Sequence, residues 1–270
     1  MRIGLVQMHV DEDTATNIER ARAGVMAAAQ QGASIVVLPE MFCCPYRTEC
    51  FISEAQVQGG PIFTQLQKMA IDAAVYLVAG SVPECEPSGA QGIKRYNTSY
   101  VFSPEGMLLA KHRKMHLFDV NIPGKIAFME SQTFSPRESI TLVETPGLTF
   151  GVAICYDLRF PELFKRMALS GASLILVPAA FNMTTGPVHW ELLARARAVD
   201  NQVYVGLCSP ASVEGDRFVA YGHSLVANCW GEIVGALNKK PDILLVDLDL
   251  NHQEQVRKQL PLLAHSKVTY

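Results

Sequence analysis

The chain has 270 residues, of which 49% are hydrophobic and 18% are charged, a composition typical of a globular protein with a substantial buried core. Its formal net charge of −3 and the lack of any long basic run exclude the charge pattern of a nucleic-acid-binding protein. No apolar run approaches the roughly 18 residues of a membrane-spanning helix, and no signal-peptide pattern precedes the first strand. We therefore expect a cytoplasmic protein that contacts neither nucleic acid nor membrane.

Short apolar runs alternate with amphipathic stretches along the first half of the chain. Residues 3–8 predict a buried strand, and Asp13 or Thr14 predicts the start of a helix that Gly32 ends. The spacing of Ile18, Ala21 and Val25 places them on one face of this helix. The continuous apolar run at 34–40 is typical of a strand whose sheet is covered on both faces. Further elements predicted in this half are a helix beginning at Pro61 and strands at 75–80, 96–102 and 106–110.

The second half repeats this alternation. It predicts a strand at 148–157, a helix between Pro161 and Gly171, a strand at 173–180, a helix at 187–201 and four later strands ending with DILLVDLD. The segment after Pro261 is too short and polar to form a unit of its own. Because no linker divides the chain, we expect residues 1–270 to form a single domain.

One internal similarity bears on the architecture. GASIVVLPE at 32–40 is echoed by GASLILVPA at 171–179, and both runs have the same strand–helix surroundings. The echo predicts two pseudo-symmetric halves, each with a sheet and outer helices. Chance similarity between two core strands is the alternative.

Seven cysteines are present, an odd number without the density of a disulfide scaffold, and we expect most of them to remain reduced thiols. No C-x-x-C pair, H-E-x-x-H motif or spaced His/Cys cluster occurs, and the glycine motifs of phosphate and dinucleotide sites are absent too. The sequence therefore predicts neither a metal site nor an organic cofactor.

Three residues at or near strand ends have the side chains that thiol-dependent amide hydrolysis needs. Cys155 stands at the end of a predicted strand, just before the turn into a helix, where nearby backbone N–H groups favour a thiolate and an oxyanion. Glu40 ends the run at 34–40, at the sheet edge where α/β proteins bind ligands, and is a candidate proton relay. Lys114 is followed by apolar residues, so its ammonium needs a carboxylate partner, which Glu40 or Glu130 can supply.

Each of these positions also has a simpler explanation. The cysteine can be an inert core residue, the glutamate a solvent-facing strand end, and the lysine part of a basic surface run, the default interpretation for Lys111, His112 and Arg113. A cysteine–histidine arrangement competes with the three-residue set, and its candidate bases are His116, His189 and His223.

The runs LPEMF, RKMHLF and CYDLRFPEL, in that order, resemble the Glu, Lys and Cys signatures of the nitrilase (carbon–nitrogen hydrolase) superfamily. The resemblance extends over nearly the whole chain. It implies an α/β fold, an α-β-β-α sandwich of the nitrilase type, and a homodimer or higher homo-oligomer. It also implies that Glu40 is the general base, Lys114 the oxyanion stabiliser and Cys155 the nucleophile.

Within the superfamily, KMHLFDVNIPGKIAFMES and the segment FNMTTGPVHWELLARARAVDNQVYV are similar to omega-amidases. This implies hydrolysis of the distal amide of alpha-ketoglutaramate and alpha-ketosuccinamate. Glu130 corresponds to a second catalytic glutamate that positions Lys114 and substrate, and Arg159 to an arginine that binds the substrate carboxylate. Tyr156 is expected to donate its backbone N–H to the oxyanion, and Tyr46 and His116 are expected to contact substrate.

Other assignments remain open. Arg159 can instead form a structural salt bridge with Asp157 or Glu162. The enzyme alternatives are a deaminated-glutathione amidase and an N-carbamoyl amino-acid amidohydrolase of the same superfamily. The non-enzyme alternative is a catalytically silent binding protein.

Overall fold

The computed structural model describes residues 1–89, 92–215 and 218–267. Two six-stranded sheets lie face to face around a shared apolar core, and helices pack on the outer face of each sheet. These four layers are the predicted α-β-β-α sandwich, and the α/β fold class is confirmed.

The first sheet contains the N-terminal strands and receives the last strand of the chain at one edge. In order across the sheet, its strands are β14 (Asp242–Asp247), β1 (Arg2–Gln7), β2 (Ile35–Val37), β3 (Tyr76–Pro87), β4 (Ile93–Phe102) and β5 (Leu108–Arg113). The strands β1, β2 and β3 are parallel, whereas β14, β4 and β5 each run antiparallel to a neighbour.

The second sheet has the same pattern of strand directions. Its strands are β8 (Thr141–Thr145), β9 (Leu148–Val152), β10 (Leu174–Pro178), β11 (Tyr204–Cys208), β12 (Leu225–Ala227) and β13 (Ile233–Ala236). Here β9, β10 and β11 are the parallel trio. The repeated segments at 32–40 and 171–179 supply β2 and β10, the middle strand of each trio, so the predicted pseudo-symmetric halves are confirmed.

Helices cover both outer faces of the sandwich. Against the first sheet lie α1 (Thr14–Gln30) and α3 (Pro61–Ala73), and against the second lie α4 (Pro161–Leu169) and α5 (Gly186–Asn201). The shorter elements are α2 (Thr48–Ser53), α6 (Leu250–Gln259), α7 (Leu262–His265), the hairpin β6 (Asp119–Ile122) and β7 (Ile126–Met129), and 3₁₀ helices at Glu130–Gln132 and Cys155–Arg159.

The first helix shows how closely local sequence signals match the structure. The Asp13 side chain accepts the backbone N–H of Thr16 at 2.8 Å, and so caps α1 as predicted. Its buried face includes Ile18, Ala21 and Val25, the residues whose spacing predicted the helix.

Several elements differ from the sequence-based expectations. The strand β2 has three residues and β9 ends at Val152, so the strand predicted at 148–157 was too long. The helix α6 and the β6–β7 hairpin were not predicted. In α6 only Gln253 and Val256 are buried, and Gln253 Nε2 donates to the carbonyls of Ser173 and Gln202. Polar contacts attach this helix, so it lacks the apolar stripe that the prediction needed.

Candidate active site

The site lies where the carboxyl ends of the parallel strands of both sheets meet. Glu40 follows β2, Lys114 follows β5 directly, and Cys155 stands three residues beyond the end of β9. Ligand crevices of α/β proteins form at this edge because every parallel strand delivers a loop there. The structure thus brings the three sequence-predicted residues to one place.

A buried ionic cluster forms the base of the site. The Lys114 Nζ lies 2.9 Å from Glu40 Oε1 and 2.8 Å from Glu130 Oε2, and all three side chains are buried. Burial opposes the charge on Lys114, but the Glu130 and Glu40 carboxylates outweigh it and raise the pKa of the ammonium well above its usual value. Both carboxylate partners considered for Lys114 are therefore present.

Glu130 is the second carboxylate of this cluster. Burial raises the pKa of Glu130, and Lys114 opposes that rise. Its Oε2 also accepts the backbone N–H of Phe118 at 2.6 Å. This bond fixes the carboxylate beside the ammonium, in the position that the sequence assigned to a residue holding Lys114.

Asn97 completes the cluster and was missed by the sequence analysis. Its Nδ2 donates to Glu40 Oε1 at 2.9 Å and to Glu130 Oε1 at 3.0 Å. The available signal was the run of three polar residues, 97–99, between two tyrosines of strand β4. Among the described residues, no group hydrogen-bonds to Glu40 Oε2.

Cys155 occupies a constrained backbone position. It begins the 3₁₀ helix Cys155–Arg159 rather than ending a strand, and its φ of 46° lies in the left-handed region. Non-glycine residues held there cost of order 1–3 kcal/mol and cluster at functional sites. Burial, followed by the charge of Glu40, raises the pKa of the thiol well above its usual value, and a hydrogen bond from the Ala180 backbone opposes this. The resting thiol is therefore protonated beside a carboxylate.

Asp157 links the segment around Cys155 to the segment around Lys114. Its Oδ2 accepts the Ile154 backbone N–H at 3.0 Å, and its Oδ1 accepts the His116 backbone N–H at 2.9 Å. The ring nitrogens His112 Nε2 and His116 Nδ1 lie 3.3 and 2.7 Å from the same carboxylate. Although burial alone would raise the pKa of Asp157, these hydrogen bonds lower it below its usual value.

Replacing Asp157 with asparagine is expected to lower the free energy of unfolding by about 1–3 kcal/mol, because an NH₂ group would then face N–H donors. Chemical denaturation measures this change. The matched control is Asp119→Asn, since Asp119 accepts a single exposed backbone N–H from Ser131. That control should stay within about 0.5 kcal/mol of wild type. Equal stability of Asp157→Asn and wild type would contradict the linking role.

In the basic run before Lys114, the structure contradicts the expectation that the residues lie on the surface. His112 is fully buried between Asp157 and Thr141, and Arg113 is buried with its guanidinium on Glu84 at 2.7 Å. The surface interpretation was therefore wrong for these two residues. Each of the two side chains is paired with residues far away in the sequence, and this pairing is not visible in the run itself.

Two cavities open beside the cluster and share Ala180. The larger, of about 160 Å³, includes Glu40 and Tyr46 in its wall. Burial, followed by the charge of Glu40, raises the pKa of the Tyr46 phenol well above its usual value, and the ring stacks on Phe218 at 4.5 Å. The smaller, of about 10 Å³, is lined by Phe118, Cys155, Tyr156, Arg159, Ala180, Phe181, Asn182 and Thr185.

Arg159 lies in the wall of the smaller cavity, together with Cys155. Its Nη1 is 3.1 Å from His189 Nδ1, and its guanidinium lies over the Phe181 ring at 5.0 Å. Neither Asp157 nor Glu162 forms a salt bridge with Arg159 among the described residues. The structural pairing weighed for Arg159 is therefore not found.

The histidines considered as alternative bases have other partners. His116 bonds Asp157, stacks on Phe160 with ring centroids 3.5 Å apart, and lines neither cavity. This placement gives no support to the predicted substrate contact of His116. His189 pairs with Arg159, and His223 Nδ1 bonds the Tyr221 carbonyl. Hence no cysteine–histidine pair is seen at Cys155 in the described chain.

The described residues contain neither a metal-binding cluster nor a membrane-spanning helix. No group of three or more His, Cys, Asp or Glu side chains there has the arrangement to hold a metal ion. No helix in the same ranges combines the length and apolarity that crossing a bilayer requires.

The sequence profile described as "Carbon-nitrogen hydrolase" matches residues 2–258. The Danio rerio protein named "Omega-amidase NIT2" is 48% identical over 261 residues, which are 97% of this chain and 92% of the relative. The Homo sapiens protein of the same name is 45% identical over 261 residues, with 97% and 93% covered.

A solved structure supports the same grouping. Saccharomyces cerevisiae Nit3, described as a member of branch 10 of the nitrilase superfamily, is similar to this chain with a TM-score of 0.90 at 39% identity. The match covers 100% of this chain and 97% of Nit3.

Proposed function

The chain belongs to the carbon–nitrogen hydrolase family, and we propose that it is an omega-amidase that releases ammonia from the distal amide of small carboxylate-bearing amides. Alpha-ketoglutaramate and alpha-ketosuccinamate are the proposed substrates. The observation that carries this proposal is the buried Lys114 ammonium, held by Glu40 and Glu130 beside the thiol of Cys155.

In the proposed acylation, Glu40 accepts the thiol proton as the sulfur of Cys155 attacks the amide carbonyl carbon. The carbonyl π electrons move to oxygen, where Lys114 and the backbone N–H of Tyr156 stabilise the negative charge. Glu40 then gives its proton to the amide nitrogen, and the C–N bond breaks. Ammonia departs, and the acyl group remains on Cys155 as a thioester.

In the proposed deacylation, water enters and Glu40 removes one of its protons as the oxygen attacks the thioester. The tetrahedral oxyanion forms at the same donors, the C–S bond breaks, and Cys155 recovers its proton from Glu40. Glu130 contributes by fixing Lys114, whose Nζ it contacts through both carboxylate oxygens. No step in this sequence requires a metal or an organic cofactor.

We assign the substrate carboxylate to Arg159, which shares the smaller cavity with Cys155. A guanidinium binds a carboxylate through two parallel hydrogen bonds, whereas an ammonium offers only a point charge. Tyr46 is proposed to contact substrate from the wall of the larger cavity. The sequence-based contact proposed for His116 would require this ring to leave its place on Phe160.

Replacing Arg159 with lysine is expected to raise KM about tenfold or more for a carboxylate-bearing amide, because a charged hydrogen bond contributes roughly 1.5–3 kcal/mol. KM for an uncharged amide should change far less. Steady-state kinetics on both substrates measures the effect, and the exposed Arg166→Lys is the matched control. Equal losses on both substrates would remove Arg159 from the binding site.

A product-release assay across a substrate panel tests the function itself. The panel holds the two keto-acid amides, an uncharged monoamide, an N-carbamoyl amino acid and deaminated glutathione. The proposal expects the highest kcat/KM for a keto-acid amide. A preference for the carbamoyl compound or for deaminated glutathione would select one of the sibling activities, and no turnover of any compound would favour a silent binding protein.

The chain is further proposed to act in the cytoplasm as a homodimer of single-domain subunits. Support for the dimer comes from the outer face of α5, where Val188 and Leu192 are 64% and 63% exposed. Trp230 lies in the same surface groove as Leu192 and is 57% exposed. Large apolar residues grouped on a surface in this way are typical of contacts between subunits.

A further inference from the structure

We propose that Asn97 is a positioning residue that, together with Lys114, occupies Oε1 of Glu40 and thereby leaves Oε2 as the oxygen that exchanges a proton with Cys155. The inference rests on the proposed function, in which Glu40 is the base. It adds a residue that the Glu, Lys and Cys motifs do not contain, and it assigns different tasks to the two oxygens of one carboxylate.

The hydrogen-bond pattern around Glu40 is the first argument. Oε1 accepts from Lys114 Nζ and from Asn97 Nδ2, each at 2.9 Å. Oε2 is buried and has no hydrogen-bond partner among the described residues. The Cys155 thiol is near enough to the same carboxylate for the charge of Glu40 to raise the thiol pKa. One oxygen is therefore held by two donors, and the other has its lone pairs free for a proton.

The orientation of the Asn97 amide is the second argument. Glu40 Oε1 and Glu130 Oε1 are both acceptors, so only the NH₂ end of the amide can face them. This leaves Asn97 Oδ1 buried without a partner in the described chain. Buried unpaired polar atoms are rare in native proteins and call for an explanation. Holding two carboxylates at fixed positions explains this one.

A backbone hydrogen bond fixes the position of the Asn97 side-chain amide relative to the ionic cluster. Asn97 lies within β4, and its carbonyl accepts the backbone N–H of Lys114 at 2.9 Å. The segment that carries Asn97 and the segment that carries Lys114 are thus held together by this hydrogen bond. The other ionisable groups that face Glu40 are Glu130, Tyr46 and Cys155.

The proton movement follows from this arrangement. As the sulfur of Cys155 bonds to the amide carbon, its proton moves to Oε2, while Oε1 keeps both hydrogen bonds. Because N–H donors favour the ionised carboxylate, they keep Glu40 ready to accept a proton. Without the Asn97 donor, Oε1 would have a free lone pair and would compete with Oε2 for the proton.

The test compares Asn97→Leu, which removes both donors at similar volume, with Asn97→Ser, which is smaller and keeps one donor. The matched control is Asn201→Leu, since Asn201 is equally buried, carries an unpaired Oδ1 and lies on α5. For each variant, kcat, KM and the pH dependence of kcat/KM are measured on a keto-acid amide. The rate of Cys155 alkylation by iodoacetamide is followed over the same pH range.

We expect kcat of Asn97→Leu to fall roughly ten- to a hundredfold with little change in KM, because the variant loses one to two charged hydrogen bonds. The acid limb of the pH profile should move to higher pH by up to about one unit, and the alkylation profile should move with it. Asn97→Ser should lie between this variant and wild type. Asn201→Leu should lose stability but keep both profiles.

A folded Asn97 variant whose acid limb and alkylation profile match wild type would overturn the proposal, and so would an equal kcat loss in Asn201→Leu. If Asn97→Leu does not fold, the pH dependence of kcat/KM and of Cys155 alkylation in Asn97→Ser tests the proposal. Failure of the proposed function is distinguishable from these outcomes, because wild type itself would then turn over no amide of the panel.

Discussion

Replacing Cys155 with alanine is expected to lower kcat for amide hydrolysis by at least about 10⁴-fold, because the thioester of the proposed mechanism forms on its sulfur. The fold should persist, since the change removes one small buried group from a turn that Asp157 holds through the backbone. Steady-state ammonia release measures the loss, and circular dichroism with thermal unfolding checks the fold.

Cys208→Ala is the matched control for this experiment. Cys208 is also buried, but it lies in β11 within the core between the sheets, where its Sγ contacts the carbonyls of Val6 and Val37. This variant should lose stability and keep kcat. Acid quenching of the wild type during turnover should trap an acyl group on Cys155, detected by mass spectrometry. An acyl group on Cys44, which lines the larger cavity, would move the nucleophile to that residue.

The second large effect is expected for Lys114→Met, which removes the cation from the buried cluster. Turnover should fall by at least about 10²–10³-fold, because a donor to the developing oxyanion is lost. The free energy of unfolding should fall by about 3–5 kcal/mol, because Glu40 and Glu130 are left buried without a compensating charge.

The pH dependence of this stability loss has a definite sign. The raised pKa of Lys114 means that its contribution is complete at neutral pH and is lost only as pH rises through the folded pKa, well above the unfolded value of about 10.4. The raised pKa of Glu130 means that its ionised form is less favourable in the folded than in the unfolded chain. The deficit of Lys114→Met should therefore be large at neutral pH and should shrink in acid, as Glu130 takes up a proton.

Equilibrium denaturation between about pH 4 and 8 measures this trend, with Lys68→Met as the control. Lys68 is 65% exposed and pairs with Asp72 on the surface of α3. Exposed pairs of this kind contribute about 0.3–0.5 kcal/mol. A Lys114→Met deficit as small as that of the control, or one independent of pH, would show that the cluster does not depend on this ammonium.

The sequence by itself determined the elements whose signals are local. Asp13 and the spacing of Ile18, Ala21 and Val25 specify α1, because a cap and an apolar stripe act within a few turns of helix. The repeated strands at 32–40 and 171–179 disclosed the two halves of the sandwich. Their positions at predicted strand ends also indicated Glu40 and Cys155 as site residues, since the loops that follow parallel strands lie at one edge of the sheet.

The tertiary structure decided which charged and polar residues are buried and which oxygen each one contacts. His112 and Arg113 resemble surface charges in the basic run, yet their partners Asp157 and Glu84 lie 45 and 29 residues away along the chain. Asn97 carries no motif, and it gains its role only because Glu40 and Glu130 arrive from 57 and 33 residues away. A buried charge or amide is stable only with its partners in place, and these partners meet only when segments far apart in the sequence have folded together.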